Sequence, residues 1–390
     1  MARKTRRGGA SSNVEVPEPS LAHLARLTDD TGLFQHAKVI LPDRQCGYCT
    51  DDNARAVIAM TRYYAQQQGP STALRTPALP RRNDIDGVLG DPQALRLLDT
   101  YLAFVLHAQN PDGTIRNWMN FERTWYKNEP GNDALGRALW AFGAVVADPP
   151  SPAYLSMASD AFEKSVALAQ RQGSKGVAYS ILGMSDYLKR FPDAGDIADQ
   201  LRSAADGLLS RYEQSSHRDW QWFEDALTYD NAILPHALFV ASSALGEKKF
   251  CQIAEKTCEF LLANTFCGDH FSFIGCHGWY KRGRRRATFD QQPIEAAGTV
   301  LMLKAAHDCT GDERFLTLQR KAFDWFLGVN DLGIALYDSS SKGCCDGLCP
   351  DGVNTNQGGE SAVSFLLSLL AIIENLGSQR RGRKIINRKS

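Results

Sequence analysis

The chain has 390 residues, 43% of them hydrophobic, enough to bury a large core in one repeat-built domain or in about two or three smaller ones. Lys plus Arg and Asp plus Glu balance at 44 each, which excludes a global bias towards nucleic acid or anionic membrane. The N-terminal region shows no apolar signal-peptide core, and no run reads as a span of about 20 apolar residues, so the expectation is a cytoplasmic protein away from membranes. Ten cysteines in a chain of this length do not require a disulfide scaffold and are expected to be reduced.

In chain order, residues 1–20 open with the basic stretch "ARKTRRGG" and are expected to be a disordered tail, as is the closing stretch 377–390, which ends in "QRRGRKIINRKS". Leu21 to His36 reads as a short helix. Two kinds of helical segment then alternate. One kind starts with a polar cluster and becomes almost wholly apolar: "DDNARAVIAMTRYY" from Asp51, "NDALGRALWAFGAVV" from Asn132, "KGVAYSILGMSDYL" from Lys175, "YDNAILPHALFVASSAL" from Tyr229, "QQPIEAAGTVLMLKAA" from Gln291 and "GGESAVSFLLSLLAII" from Gly358. A helix apolar on nearly every side has to be covered on nearly every side, so these are inner helices. The segments between them, from Asp91, Pro152, Ala194, Lys248 and Asp312, keep a polar face and read as outer helices. The "STALRTPALPRRND" stretch after Gly69 reads as an inserted loop. No strand-helix alternation or Gly-rich phosphate loop appears, which argues against an α/β architecture.

Six outer and six inner helices in alternation predict a long-period hairpin array, best closed into a ring, with inner helices starting near residues 51, 133, 175, 231, 292 and 360. The motifs "DDNARA", "YDNAILPHAL", "DQQPIEAAG" and "NQGGESAVSFL" resemble those of the six-hairpin, (α/α)6-barrel glycosidase superfamily. They look most like a group of bacterial helical-barrel proteins found beside or fused to glycosyltransferases. The resemblance covers about Leu21 to Leu376 and implies an all-α toroid in a single domain over 21–376. Any glycosyltransferase partner is then a separate protein.

Such a ring collects the polar starts of its inner helices at one mouth, where Asp51, Asp52, Asp133, Asp230, Glu295 and Glu360 are expected to face each other. The feeding loops hold Trp118, Trp125, Trp220, Trp222 and Trp279, and an indole beside carboxylates and amides suits a sugar ring with its hydroxyls. Trp118, Trp222 and Trp279 are expected to line one cleft with Asp52 and Glu224. Glycoside hydrolysis needs a protonated and an ionised carboxyl across the scissile bond. Glu224 is the first candidate for the acid, because Trp222 and Phe223 beside it suit a desolvated carboxyl, and Asp52 is the candidate base. Asp51 and Asp225 are alternates, Asp51 being better placed to cap its helix. Tyr126, Arg137, Asp230, Asn231, Gln292, Glu295 and Glu360 are candidate substrate binders, with Tyr280 and Arg282 on the loop edge.

Two other functions fit the same pattern: a sugar epimerase or lyase acting through His236 and His277, and a non-catalytic glycan-binding or glycosyltransferase-assisting module. Metal chemistry is not expected and no cofactor is implied. Arg55 stands where a DDxxD magnesium cluster has its last aspartate, and His217, His236, His270 and His277 form no H-x-x-x-H pair. "CGYC" at Cys46 to Cys49 has "CCDGLC" at Cys344 to Cys349 as its one partner for a zinc site, and both read as thiols lining loops.

Overall fold

The computed structural model describes residues 14–68, 91–127 and 133–386, so the inserted loop after Gly69 lies outside the described residues. In chain order the helices are α1 (Ala22–Arg26), α2 (Thr50–Gln68), α3 (Pro92–Ala108), α4 (Ala134–Ala147), α5 (Pro152–Val166), α6 (Ser174–Arg190), α7 (Gly195–Ser215), α8 (Ile233–Leu245), α9 (Lys248–Thr265), α10 (Pro293–Thr310), α11 (Arg314–Asp324) and α12 (Gly359–Ile386). Their pattern of contact follows from their apolar faces. The even-numbered helices form a closed ring in which each packs on the next: α2 on α4, α4 on α6, α6 on α8, α8 on α10, α10 on α12, and α12 back on α2. Around it, α3, α5, α7, α9 and α11 cover the inner helices that precede them, and α1 covers α12. This is the all-α (α/α)6 toroid that the sequence pattern predicts, and the inner helices begin at 50, 134, 174, 233, 293 and 359, within two residues of the expected starts.

Two segments differ from expectation. Leu21 to His36 is helical only over Ala22–Arg26. The Asp29 carboxylate accepts the backbone N–H groups of Thr31 (2.8 Å) and Gly32 (3.2 Å), a local turn that competes with further helix, and Phe34 N–H then returns to the Leu27 carbonyl at 2.9 Å. Second, Gly359–Gly377 of α12 does reach the length and hydropathy of a membrane span, with a mean hydropathy of 1.4. That stretch is 72% buried within the protein, and its apolar surface is spent on α2 and α10 as the last stave of the ring. At the ends, residues 14–20 run as coil with Val16 packed on the core, and α12 continues through Ile386.

Among the described residues, ten strands of two or three residues pair into five antiparallel ribbons in the connecting loops. Two of them aim loops at the helix starts. β3 (Tyr48–Cys49) pairs with β4 (Trp118–Met119), and β5 (Ala226–Leu227) pairs with β6 (Tyr280–Lys281).

The tightest helix pair in the ring is α4 with α6, and glycine makes that approach. A Cβ on Gly143 would stand 2.2 Å from the Gly183 carbonyl oxygen, and one on Gly136 would stand 2.2 Å from that of Gly176. Because the obstructing atoms are backbone, the two helices would have to separate. Gly143→Ala is therefore expected to cost about 1–3 kcal/mol, as overpacking does. Gly207→Ala, in the exposed middle of α7 where nothing lies within 4 Å, should instead gain up to about 1 kcal/mol in helix propensity. Thermal melts of the two variants should move in opposite directions, and an unchanged melt for Gly143→Ala would contradict this reading of the ring.

Candidate active site

Closure of the ring brings the first turns of all six inner helices to one mouth. The entry to α2 shows how the chain prepares it. Cys49 precedes the helix, and its Sγ accepts the Asp52 N–H at 3.4 Å while its thiol donates to Asp52 Oδ2 at 3.1 Å. The neighbouring N–H groups are served by the loop that β4 holds in place: Thr50 N–H donates to the Asn117 carbonyl at 2.8 Å, and Asp51 N–H to Asn117 Oδ1 at 3.2 Å. Asp51's own carboxylate is thus free of capping and points at the Arg137 guanidinium, whose Nε lies 3.4 Å from Asp51 Oδ1. Asp52 is the buried member of the pair, with Oδ1 3.5 Å from Arg55 Nη2, and Asp51 is the partly exposed one, its side chain 20% accessible. The expected division is reversed, with Asp52 built into the helix start and Asp51 facing the mouth.

Arg137, one turn into α4, is almost fully buried and joins three helices. Besides Asp51 of α2 it reaches Asp230 Oδ2 at 3.5 Å, donates to the Tyr179 hydroxyl of α6 at 2.5 Å, and stacks 3.9 Å from the centre of the Tyr179 ring. Tyr179 in turn donates to Asp230 Oδ2. Arg55, one turn into α2, bridges Asp52 and Glu360 of α12, the latter at 2.9 Å. Tyr229 donates to Asp133 at the start of α4, and Lys175 of α6 donates to Thr228 Oγ1 at 2.5 Å while lying 4.0 Å over the Tyr229 ring.

Asp230 enters α8 with φ +43°, a left-handed conformation that aspartate tolerates better than most residues. The entry is held from the neighbouring helix. Glu295 of α10 accepts the backbone N–H of Asp230, that of Asn231 at 3.4 Å, and the Asn231 side-chain amide at 2.9 Å. One turn along α10, Gly298 leaves the space that Asp230 occupies, since a Cβ there would stand 2.4 Å from Asp230 Oδ1.

Among the described residues, the carboxylates of Asp51, Asp52, Asp133, Asp230, Glu295 and Glu360 gather at this mouth with the cations Arg55, Arg137 and Lys175, and Asp346 holds the α12 start beside them. Burial pushes Asp51 up, with Arg137 and Arg55 opposing, and it pushes Asp52 up against the pull of Arg55. Asp230 is likewise raised by burial. Burial and the charge of Asp230 push Glu295 up to about 8. Glu360 moves the other way: burial works to raise it, but the Arg55 guanidinium and its hydrogen bond hold it below the usual range. Among the described residues, buried polar atoms without a hydrogen-bond partner also gather here, at Arg55 Nε and Nη1 and Asp230 Oδ1, while Asp51 Oδ1 and Arg137 Nε meet only as an ion pair. Each such atom costs about 1–3 kcal/mol, an expense that a protein core avoids and a functional site retains.

Of the residues expected from sequence, the structure brings together Asp51, Asp52, Arg137, Asp230, Asn231, Glu295 and Glu360. Trp118 sits half-buried on β4, paired with Cys49 and so beside this cluster. Gln292 is half-buried just before α10, and its carbonyl accepts the Glu295 N–H at 3.1 Å. Trp222 is a correction: it is fully buried against Phe223 and Phe260 of α9, under the outer layer, so it neither lines the mouth nor covers Glu224. Glu224 is only half-buried, and no hydrogen bond or ion pair reaches its carboxylate among the described residues. Asp225 is a surface residue paired with Arg282 at 3.0 Å, a bond that ties the β5 loop to the β6 loop. Tyr280 packs edge-on against Trp220, and Trp279 rests against the core; Tyr126 is exposed, its N–H bonded to the Trp118 carbonyl at 2.9 Å. Arg55, Lys175, Tyr179 and Tyr229 complete the cluster and were not among the expected binders. Spacing held the available signal, since Tyr179 and Arg55 each lie one helical turn beyond a polar start.

The Glu295 carboxyl links folding to pH. A group raised from 4.5 to about 8 contributes stability that is fully present below pH 4.5 and is lost as the pH rises through about 8. The wild-type melting temperature should therefore fall between pH 5 and pH 8, and Glu295→Gln, which cannot ionise, should flatten that fall. Parallel pH profiles for the two proteins would show that Glu295 stays ionised throughout.

Neither a protein-family model nor a curated protein sequence matches the chain. Solved structures do. A sugar epimerase from a ruminal bacterium superposes with a TM-score of 0.65 at 12% identity, covering 90% of this chain and 95% of that one. A D-mannose isomerase gives 0.65 at 9% identity, covering 91% and 95%. A GH76 α-mannanase from Bacteroides thetaiotaomicron gives 0.62 at 10% identity, covering 94% and 95%. At such identities the likeness is one of fold: the chain is built as the toroid that these sugar-acting proteins share.

Proposed function

We propose that the protein is a carbohydrate-active enzyme, and more narrowly a glycoside hydrolase whose acid and base are Asp51 and Glu360. What carries this reading is that these two carboxyls keep part of their side chains exposed at the mouth, each against a buried arginine, while their surroundings push them in opposite directions. Both belong to one charge cluster and both are partly exposed, at 20% and 34% of the side chain. Burial keeps Asp51 protonated to higher pH, whereas Arg55 keeps Glu360 ionised. Carboxyls whose environments drive them apart in this way supply the proton donor and the ionised partner that glycoside cleavage requires. Asp51 would protonate the leaving oxygen, and Glu360 would deprotonate water or attack the sugar carbon. Asp52 holds Arg55, and Asp230 with Tyr179 holds Arg137, so each active carboxyl has a fixed cation beside it. The half-buried Trp118, paired across the ribbon with Cys49 at the entry to α2, would offer a flat apolar face for a sugar ring.

The three superposed folds are those of a sugar epimerase, a mannose isomerase and a mannanase, which supports sugar chemistry without choosing the reaction. The epimerase reading would rest on His236 and His277, and these do not share a site. His236 is buried against Trp140, and burial drives it down to about 3; His277 is 83% exposed and paired with Asp290. The motif resemblance further supports joint action with a separate glycosyltransferase in the cytoplasm.

Incubation with a panel of oligo- and polysaccharides, followed by product analysis, is the direct test. Chain cleavage is expected; an epimerised reducing end without cleavage would replace hydrolysis by epimerisation, and inertness would favour a binding module. On a cleaved substrate, Asp51→Asn and Glu360→Gln should each lose about a hundredfold or more in kcat with the fold intact. Glu224→Gln should stay within a few-fold of wild type. Full activity in Asp51→Asn would remove the assignment of the acid.

A further inference from the structure

In the "CCDGLC" stretch Asp346 holds the start of α12, accepting the Gly358 N–H and the Ser361 hydroxyl at 2.7 Å each, and the structure gives one of the cysteines new neighbours of its own. Two connections meet at the rim here, the α9–α10 loop and the α11–α12 loop. They are joined by a reciprocal backbone pair in which Gln291 N–H donates to the Leu348 carbonyl at 3.0 Å and Leu348 N–H to the Gln291 carbonyl at 2.9 Å. Beside that pair, the ligand-type atoms of Cys276, His277 and Asp290 all lie within 4.8 Å of one another, the one such cluster found among the described residues. The turn through Cys276 and His277, closed by Gly278 N–H on the Cys276 carbonyl at 2.9 Å, presents both side chains to Asp290. His277 Nδ1 contacts Asp290 Oδ2. From the other loop, Cys349 stands within electrostatic reach of the same Asp290 carboxylate and of Cys276, just outside the 4.8 Å cluster.

We propose that Cys276, His277, Asp290 and Cys349 form a zinc site that staples the α9–α10 loop to the α11–α12 loop at the rim of the barrel. Two thiolates, one imidazole and one carboxylate are a complete tetrahedral donor set for Zn2+, and four protein ligands make a closed, structural site. Donor atoms around tetrahedral zinc stand about 3.5 Å apart, given bonds of about 2.0–2.3 Å, so Cys276, His277 and Asp290 need adjustments of only about 1 Å, and Cys349 closes on them from the facing loop. Binding would release the two thiol protons and replace the His277–Asp290 contact by two bonds to the metal. Cys49 is not a ligand in this arrangement, because its thiol is engaged by Asp52 at the start of α2. The staple would fix the loop that carries Trp279, Tyr280 and Arg282, and so shape the rim independently of the reaction performed below it.

The test uses the full chain, purified under reducing conditions, equilibrated with zinc chloride and gel-filtered against a weak chelator. Metal analysis should then find about one zinc per chain. Cys276→Ser, Cys349→Ser and His277→Ala should each hold at least about tenfold less. The Cys251→Ser/Cys309→Ser double variant, which removes another close pair of thiols at 3.4 Å, should hold as much as wild type. His277→Ala keeps the test sound if a cysteine variant misfolds, since that side chain is exposed. Substitution by Co2+ should give a thiolate-to-cobalt charge-transfer band that Cys276→Ser and Cys349→Ser weaken. Zinc should also slow tryptic cleavage within the Arg282–Arg286 run of wild type but not of His277→Ala. Substoichiometric zinc in the wild type, or undiminished zinc in Cys276→Ser and Cys349→Ser, would overturn the proposal.

Discussion

The buried guanidinium of Arg137 lies between Asp51 of one inner helix and Asp230 at the start of another, and it stacks on Tyr179 of a third. A closed ring of parallel helices forces this kind of contact. Six helix starts meet at one end, and the partial positive charge there favours carboxylates. Carboxylates that close repel one another, however, and burial penalises each of them. Arg55 and Arg137 resolve the conflict by standing between acids from different helices, so the same two residues hold the ring mouth closed and set the charge state of its acids. Removing either partner of such a pair strands the other charge in the interior, which is costlier than the pair is stabilising.

The arginines do not serve the acids equally, and burial decides which acids remain available. Asp52, Asp230 and Glu295 are sealed, and each is engaged in holding a helix entry: Asp52 through the Cys49 thiol, Asp230 through Tyr179, and Glu295 through the N–H groups ahead of α8. Asp51 and Glu360 keep part of their surface. They also sit on opposite sides of the balance between desolvation and nearby cations: desolvation prevails at Asp51, whereas at Glu360 the charge and hydrogen bond of Arg55, with Arg137 and His36 behind them, together outweigh it. Architecture and chemistry thus draw on one set of side chains, divided by exposure.

The connecting loops follow a different logic. Their aromatic residues mostly anchor: Trp222 and Trp220 pack on Phe260 of the outer layer, and Trp125 packs on Phe104. The two-residue ribbons then aim what is left, and β4 sets Trp118 and Asn117 against the start of α2. A loop rich in tryptophan beside acids is therefore ambiguous in sequence, because an indole that covers a core and one that faces a sugar have the same neighbours along the chain.

The sequence by itself determined the architecture. Segments such as "NDALGRALWAFGAVV" are apolar all round and have no stable place except inside, so their alternation with two-faced helices fixed both the ring and the starts of its staves. It also located the acids at those starts, since a polar cluster before an apolar helix can be read directly. Tertiary structure alone decided which of two adjacent aspartates faces the mouth, because that depends on Cys49 and on the Asn117 loop, 66 residues further along the chain, taking up the N–H groups first. It decided that Trp222 is core, through contact with α9. It also decided that Cys349 comes within electrostatic reach of Asp290 and Cys276, across from the α9–α10 loop. Each of these outcomes rests on which distant segment arrives at a given spot, and local periodicity carries no record of that.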